Sequence, residues 1–188
     1  MTSKKILMKH SAKLTPATDT RPEAVAVDDA ARLREIRKLV EENNQSKLST
    51  DLIICQIWME SRFDARAGEN QHAARGLMQM QKDGVKQVYK YRKQKELGHM
   101  PGDKITQAAF EEGAQAYDSG KIWDEATNIQ LGTEYMQYWI DKFPTIPDAY
   151  KGYRGVSNGE YYRKISECAE SLAANQNSMQ PLREKIGK

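Results

Sequence analysis

The sequence predicts a mainly α-helical single domain, and three observations support that prediction. Apolar residues recur at spacings of three and four along most of residues 29–175, which is the period of a helix with one buried face. No alternation of apolar and polar residues stands out, although a short hairpin in the loop after Leu97 stays open. The 188 residues, of which 39% are hydrophobic and 29% charged, suffice for one domain with a core.

Residues 1–28 are expected to form a flexible N-terminal arm, because they carry two prolines among scattered Thr, Asp and Glu residues. The apolar run from Ile6 to Met8 lies between lysines and is far shorter than the core of a secretory signal. We therefore expect a protein made in the cytoplasm without a Sec signal. The longest apolar stretch elsewhere is too short and too interrupted to span a bilayer, so no membrane insertion is expected.

The first two helices are predicted from a cap and from apolar periodicity. Asp29 is expected to cap a helix that buries one face and ends within 43–46. That face consists of Leu33, Ile36, Leu39 and Val40. The next segment, 52–59, is apolar on every side except at Gln56, which predicts a central helix buried all round. The last turn of this helix carries Glu60.

Glu60 is the main candidate for a catalytic residue, because two effects raise its pKa. Its apolar neighbours desolvate the carboxylate, and the negative end of the helix dipole disfavours a further negative charge. A general acid working near neutrality needs a glutamate pKa raised from about 4.3 to roughly 6, which such burial can supply. The alternative is a helix-ending glutamate that points at solvent or pairs with Arg62 or Arg66.

Four more helices are predicted after the central one. The first runs from about residue 82 to 97 with a basic outer face, and the second opens at Thr106. The third is capped by Asp124 and stopped by two prolines, and the fourth opens at a capping box formed by Ser157 and Glu160. Residues 176–188 are polar and are expected to form a C-terminal tail, which leaves 29–175 as the folded domain.

The cysteines, the histidines and the net charge indicate which chemistry is absent. Cys55 and Cys168 could meet only if their helices pack face to face, and free thiols are expected in a reducing compartment. The three histidines, among them His72 in the loop after Glu60, are scattered and form no zinc site or triad, so no metal or cofactor is expected. A formal net charge of +3 is too weak to indicate nucleic-acid binding.

Several segments, in order, resemble the lytic transglycosylases of the soluble type, which are relatives of goose-type lysozyme. The first two are ESRFDARA, 60–67, and ARGLMQM, 74–80. DEATNIQLGTEY, 124–135, and YKGYRG, 150–155, follow. The resemblance covers residues 49–165 and implies that 29–175 is a lysozyme-like catalytic domain with a cleft beside the central helix.

The resemblance also implies the catalytic residues. Glu60 would act as general acid and then as general base, and Tyr153 would orient it through its hydroxyl group. Tyr150 is the second candidate for that tyrosine and belongs to the expected substrate-binding set. The family pattern has Asn after the tyrosine, whereas this chain has Lys151 after Tyr150 and Arg154 after Tyr153. A cation at Arg154 would lower the pKa of Glu60 if it pointed inward, so it is expected in the cleft or in water.

The other expected substrate-binding residues come from the first two motifs. Ser61 and Gln79 would form hydrogen bonds with the sugar or with Glu60, although the Gln79 amide could instead bond its own backbone. Gly76 would allow the backbone to approach the cleft. Met78 belongs to the same motif, with packing as the alternative.

The reaction implied by the resemblance is cleavage of the β-1,4 bond between N-acetylmuramic acid and N-acetylglucosamine with a 1,6-anhydro product. The alternative is hydrolysis, as in a muramidase such as a phage endolysin. Hydrolysis with inversion at the anomeric carbon needs a second carboxylate roughly 6.5–9.5 Å from the acid. Asp64, Glu69 and Asp83 are nearby in sequence, but solvation or capping explains each of them. A third possibility is a non-catalytic glycan-binding component of a secretion or phage machine.

The expected partner is the glycan strand of peptidoglycan, which lies in the periplasm. A monomeric enzyme without an export signal would need another route there. The expectation is delivery as an antibacterial effector by a type VI secretion system, with phage lysis as the alternative. An effector would imply a secretion-system component and a cognate immunity protein as further partners.

Overall fold

The computed structural model describes residues 28–70 and 73–187, so the predicted arm lies outside the described residues except for Asp28. Those residues form eight α-helices, a 3-10 turn at Lys121–Trp123 and no β-strand, which confirms the mainly α class. The helices are α1 (Ala31–Asn43), α2 (Thr50–Ser61), α3 (Lys82–Leu97), α4 (Asp103–Asp118), α5 (Glu125–Lys142), α6 (Ile146–Arg154), α7 (Glu160–Ala174) and α8 (Gln180–Ile186).

The helix α2 lies at the centre of the main core, as the sequence predicts. Ser49 caps it by accepting a hydrogen bond from the Leu52 N–H at 3.3 Å. Its apolar residues Ile53, Ile54 and Ile57 are fully buried. The helices α1, α7 and α8 pack around it, so Glu60 at its last turn is held by a rigid element.

A second, smaller core lies between the α3–α4 pair, the 3-10 turn and α5. It contains Met80, Val85, Val88, Tyr117, Ile122 and Leu131. The bounds of α3 match the prediction, while α4 begins at Asp103, three residues before the predicted Thr106. The open possibility of a hairpin after Leu97 is wrong, because that loop leads directly into α4.

The helix α5 begins and ends as its predicted cap and prolines indicate, whereas α6 is a helix that the prediction did not include. The Asp124 carboxylate caps α5 by accepting from the Thr127 N–H at 2.8 Å. Pro147 lies in the first turn of α6, where the missing N–H has no helical partner to lose. Gly155 ends α6 with a left-handed φ of +70°, which favours glycine.

Cys55 and Cys168 form a disulfide bond, so the expectation of free thiols is wrong. The helices α2 and α7 do pack face to face, and the two Cα atoms are 6.1 Å apart, within the range that a disulfide spans. The bond links residues 113 positions apart and ties the central helix to α7.

Two expectations about the C-terminal part are corrected. The helix α7 is capped at Gly159 without a side-chain hydrogen bond, so the capping box of Ser157 and Glu160 does not form. Residues 180–186 form α8 instead of a polar tail, and their apolar side chains are buried in the main core. The folded domain therefore extends beyond residue 175. Within the described residues, no helix is long and apolar enough to cross a bilayer.

Candidate active site

A cleft of about 390 Å³ opens beside the end of α2, where the resemblance implies one. Its walls come from α3, α5, α6 and the turn before α3. The lining residues are Met59, Glu60, Ala74, Gln79, Met80, Gln81, Asp83, Gly84, Tyr135, Gly152, Tyr153, Arg154 and Gly155. Of the residues expected at a site, Glu60, Gln79 and Tyr153 are among them.

Glu60 lies almost buried in this cleft, with 7% of its side chain exposed. The Tyr161 hydroxyl donates a hydrogen bond to Glu60 Oε1, and the Arg154 guanidinium Nη1 lies 4.0 Å from Glu60 Oε2. Burial raises the pKa of Glu60, and the hydrogen bond from Tyr161 and the charge of Arg154 oppose that rise without cancelling it. The predicted upward shift is confirmed.

The backbone after Glu60 explains why this carboxyl group remains in the cleft. Arg62 and Phe63 adopt left-handed φ angles of +55° and +66°, which end α2 and turn the chain away. The Arg62 guanidinium folds back and donates to the Trp58 carbonyl oxygen, and Arg66 pairs with Glu69 at 3.5 Å. The alternative in which Glu60 pairs with either arginine is therefore wrong.

The turn 75–80 is fixed by the buried amide of Asn128, from the third motif. Asn128 Oδ1 accepts from the Met78 N–H at 2.8 Å, and Nδ2 donates to the carbonyls of Arg75 and Ile122 at 3.0 and 2.9 Å. Gly76 has a φ of +74°, and a Cβ there would lie 2.4 Å from Asn128 Nδ2. Gly76 is thus required for packing against Asn128 and does not line the cleft, contrary to its expected role.

Met78 and Ser61 also lie outside the cleft, so their expected substrate contacts are wrong. Met78 is fully buried, and a Cβ at Gly132 would lie 2.4 Å from its sulfur. The Ser61 hydroxyl is buried and donates to the Ile57 carbonyl oxygen at 3.1 Å. Both residues support the site by packing: Met78 seats the turn on α5, and Ser61 completes the last turn of α2.

Gln79 lines the cleft, and its side-chain amide is held in place. Its Nε2 donates to the carbonyl oxygens of Ala67 and Gly76, each at 3.0 Å, and its backbone has a φ of +49°. The amide thus bonds backbone carbonyls, as the expected alternative has it, although both belong to other residues than Gln79 itself. The same hydrogen bonds fix Gln79 at the cleft wall.

The tyrosine that contacts Glu60 is not one of the two expected. The Tyr153 hydroxyl donates to the Met78 carbonyl oxygen at 2.7 Å, although its ring lines the cleft. Tyr150 is buried in the main core and does not line the cleft. The hydroxyl on Glu60 belongs to Tyr161, whose pKa burial and the Glu60 charge raise well above its ordinary value, which keeps it a donor.

The three carboxylates near Glu60 in sequence differ in position. Asp64 is exposed and accepts from the Arg66 N–H at 2.8 Å, while Glu69 pairs with Arg66 outside the cleft. Asp83 lines the cleft at the start of α3, with 91% of its side chain exposed and Lys86 at 3.1 Å. Its exposure and its place in the first turn of α3 agree with the expected solvation, while its position in the cleft lining was not predicted. His72 lies outside the described residues.

Comparison with known proteins identifies no relative. No family model, no curated protein and no solved structure matches the chain. The assignment of function therefore depends on the geometry of the cleft and on the motifs that its walls carry. That geometry provides one buried acid with a raised pKa, a tyrosine that donates to it and an arginine beside it.

Proposed function

We propose that this protein cleaves peptidoglycan as a lytic transglycosylase. The supporting observation is Glu60, a nearly buried carboxyl group with a raised pKa that lies in a cleft of about 390 Å³. Burial favours the protonated form of this group, and a protonated carboxyl group can donate its proton to a glycosidic oxygen. The motif resemblance supplies the substrate, the β-1,4 bond between N-acetylmuramic acid and N-acetylglucosamine.

The reaction needs one carboxyl group and no water. Protonated Glu60 donates its proton to the glycosidic oxygen, the bond to the muramic C1 breaks, and N-acetylglucosamine leaves with a free 4-hydroxyl. The muramic C6 hydroxyl then attacks C1, and the Glu60 carboxylate removes its proton, which restores the acid. Tyr161 and Arg154 stabilise the carboxylate between the two steps, because each favours the charged form of Glu60.

Hydrolysis is the second candidate, and the position of Asp83 favours it. An inverting hydrolase holds its water with a second carboxylate across the bond from the acid. Asp83 lies on the wall of the cleft that also holds Glu60, and its carboxylate is open to water. The Lys86 side chain at 3.1 Å competes for that carboxylate.

The test is mass spectrometry of muropeptides released from purified sacculi. The wild-type protein is expected to release products lighter by one water than hydrolytic ones and resistant to borohydride reduction. Glu60→Gln is expected to release none, while the matched control Glu69→Gln, at an exposed position outside the cleft, stays active. Retained lysis by Glu60→Gln refutes the role of Glu60.

The same experiment separates the alternatives. Reducible ends that disappear in Asp83→Asn establish hydrolysis with Asp83 as the water-positioning group. If the wild-type protein binds sacculi and releases nothing, the non-catalytic glycan-binding component is correct.

The substrate implies action in the periplasm, and the disulfide between Cys55 and Cys168 suits an oxidising compartment of that kind. Delivery as a secreted antibacterial effector, with an immunity protein that plugs the cleft, belongs to this proposal. Expression with an added periplasmic signal is expected to be toxic, and cytoplasmic expression harmless. Cytoplasmic toxicity argues against a wall substrate.

A further inference from the structure

Among the described residues that line the cleft, Arg154 is the only cationic one, so it favours an anionic group there. It is the last residue of α6, and Gly155 turns the chain away immediately after it. The Arg154 side chain is 54% exposed, and its guanidinium carbon lies over the Tyr161 ring, 5.8 Å from the ring centroid. The Tyr161 ring therefore supports the guanidinium at the wall of the cleft.

The contacts of Arg154 leave its charge without a close counter-ion. Within the described residues, the guanidinium forms no hydrogen bond, and its one ion-pair contact is Glu60 at 4.0 Å. Burial favours the protonated form of Glu60, which carries no charge. The other acid in the cleft, Asp83, is paired with Lys86. A guanidinium without a hydrogen-bonded partner matches a carboxylate, which it can bind through two parallel hydrogen bonds.

We propose that Arg154 binds a carboxylate of the muramic acid unit at the scissile bond, which makes it a specificity-determining residue of the cleft. This inference rests on the proposed function for its substrate class. The carboxylate has two sources: the lactyl group of muramic acid in glycan without peptide, and the stem peptide in glycan that retains it. Chitooligosaccharides share the glycan backbone and carry no carboxylate.

The first experiment measures binding and does not need turnover. The affinities of N-acetylmuramic acid and of its methyl ester are compared by titration for wild type, Arg154→Gln and Arg154→Lys. Wild type is expected to bind the acid about tenfold more tightly or better, because a charge-assisted hydrogen bond is lost with the ester. Arg154→Gln is expected to lose this preference and Arg154→Lys to keep part of it. Lys151→Gln, one turn earlier on α6 and outside the cleft lining, removes the same charge as a control.

The second experiment identifies the source of the carboxylate through steady-state kinetics. Arg154→Gln is expected to raise KM about tenfold on peptide-free glycan if the lactyl group is bound, or on peptide-bearing glycan if the stem is bound, with a smaller change in kcat. Its KM on chitooligosaccharides is expected to stay that of wild type.

Three results overturn the proposal: equal affinities for the acid and its ester in wild type, no binding of either, or a rise in the KM of Arg154→Gln on chitooligosaccharides equal to that on glycan with a carboxylate. An enzyme that cleaves none of these glycans while preferring the acid in the titration refutes the proposed function alone.

Discussion

Removal of the Cys55–Cys168 disulfide is expected to destabilise the protein by several kcal/mol. The bond closes a loop of 113 residues. In the chain-entropy description, a loop of that length removes about 16 cal/mol/K from the unfolded chain, which is about 4.8 kcal/mol at 25 °C. Removal of native disulfides costs about 2–5 kcal/mol, so this bond belongs near the upper end. Both sulfurs are fully buried, which adds a packing loss to the same side.

Urea unfolding measures this effect. With a slope of about 2 kcal/mol per molar urea, a loss of about 4 kcal/mol moves the midpoint down by about 2 M. The reduced wild type and the double variant Cys55→Ala, Cys168→Ala are each compared with the oxidised wild type. The double variant is the control for reductant, since its midpoint is expected not to respond to it.

Removal of the disulfide is also expected to affect the candidate active site. Cys55 lies five residues before Glu60 on α2, and Cys168 lies seven residues after Tyr161 on α7. The disulfide therefore links the two helices whose packing brings the acid and its hydroxyl donor together. Identical midpoints for the oxidised and the reduced wild type refute this reasoning, as does alkylation of two cysteines in unreduced, unfolded protein.

Three further predictions concern single side chains. Glu60→Gln is expected to raise the free energy of unfolding at pH 7, because the folded-state pKa of Glu60 lies above its unfolded value of 4.5. The stability that this group contributes is complete below pH 4.5 and is lost as pH rises through the folded pKa, so the gain from Glu60→Gln disappears at pH 4. Tyr161→Phe removes a hydrogen bond that lowers the pKa of Glu60, so the alkaline limb of kcat/KM is expected to move to higher pH and kcat to fall. Asn128→Ala leaves the Met78 N–H and two carbonyls without partners, and is expected to cost about 3 kcal/mol in urea unfolding and to reduce activity through the turn 75–80.

Each of these predictions has a contradicting result. For Glu60→Gln it is a stability gain at pH 4 equal to that at pH 7. An alkaline limb that does not move in Tyr161→Phe shows that the hydroxyl is not bonded to the working carboxyl group. A stability loss in Asn128→Ala no larger than in an exposed control such as Gln107→Ala shows that the buried amide is not what holds the turn.

The helices α1 to α5 and α7 could be predicted because the apolar residues of each mark a buried face within its own segment. The bounds of α3 and the cap of α5 follow from local signals at Leu97 and Asp124. The short helix α8 was missed for lack of length: Met179, Leu182 and Ile186 keep the helical spacing, but polar residues surround them. Whether a short segment with three apolar residues becomes a helix depends on its packing against the core, and the sequence does not show that packing.

The candidate site could be predicted only where it is local to one segment. Glu60 follows from the apolar run before it, and its raised pKa from the burial that this run causes. The hydrogen bond from Tyr161 joins residues 101 positions apart and depends on how α2 meets α7. A possible signal was the pair Tyr161 and Tyr162: on a helix they point about 100° apart, so when one packs inward the other faces a different neighbour.

The errors about the free thiols and about the orienting tyrosine have the same cause, the unforeseen pairing of α2 with α7, and that pairing joins stability to chemistry. Burial raises the pKa of Glu60, so the ionised form of this group destabilises the folded protein as pH rises. The covalent link between the same two helices acts in the opposite direction, because it destabilises the unfolded chain at every pH at which the bond persists. A covalent constraint thus joins the two helices that bring Glu60 and Tyr161 together. In the reduced protein, only packing holds α7 against α2, so the hydrogen bond from Tyr161 to Glu60 depends on that packing alone.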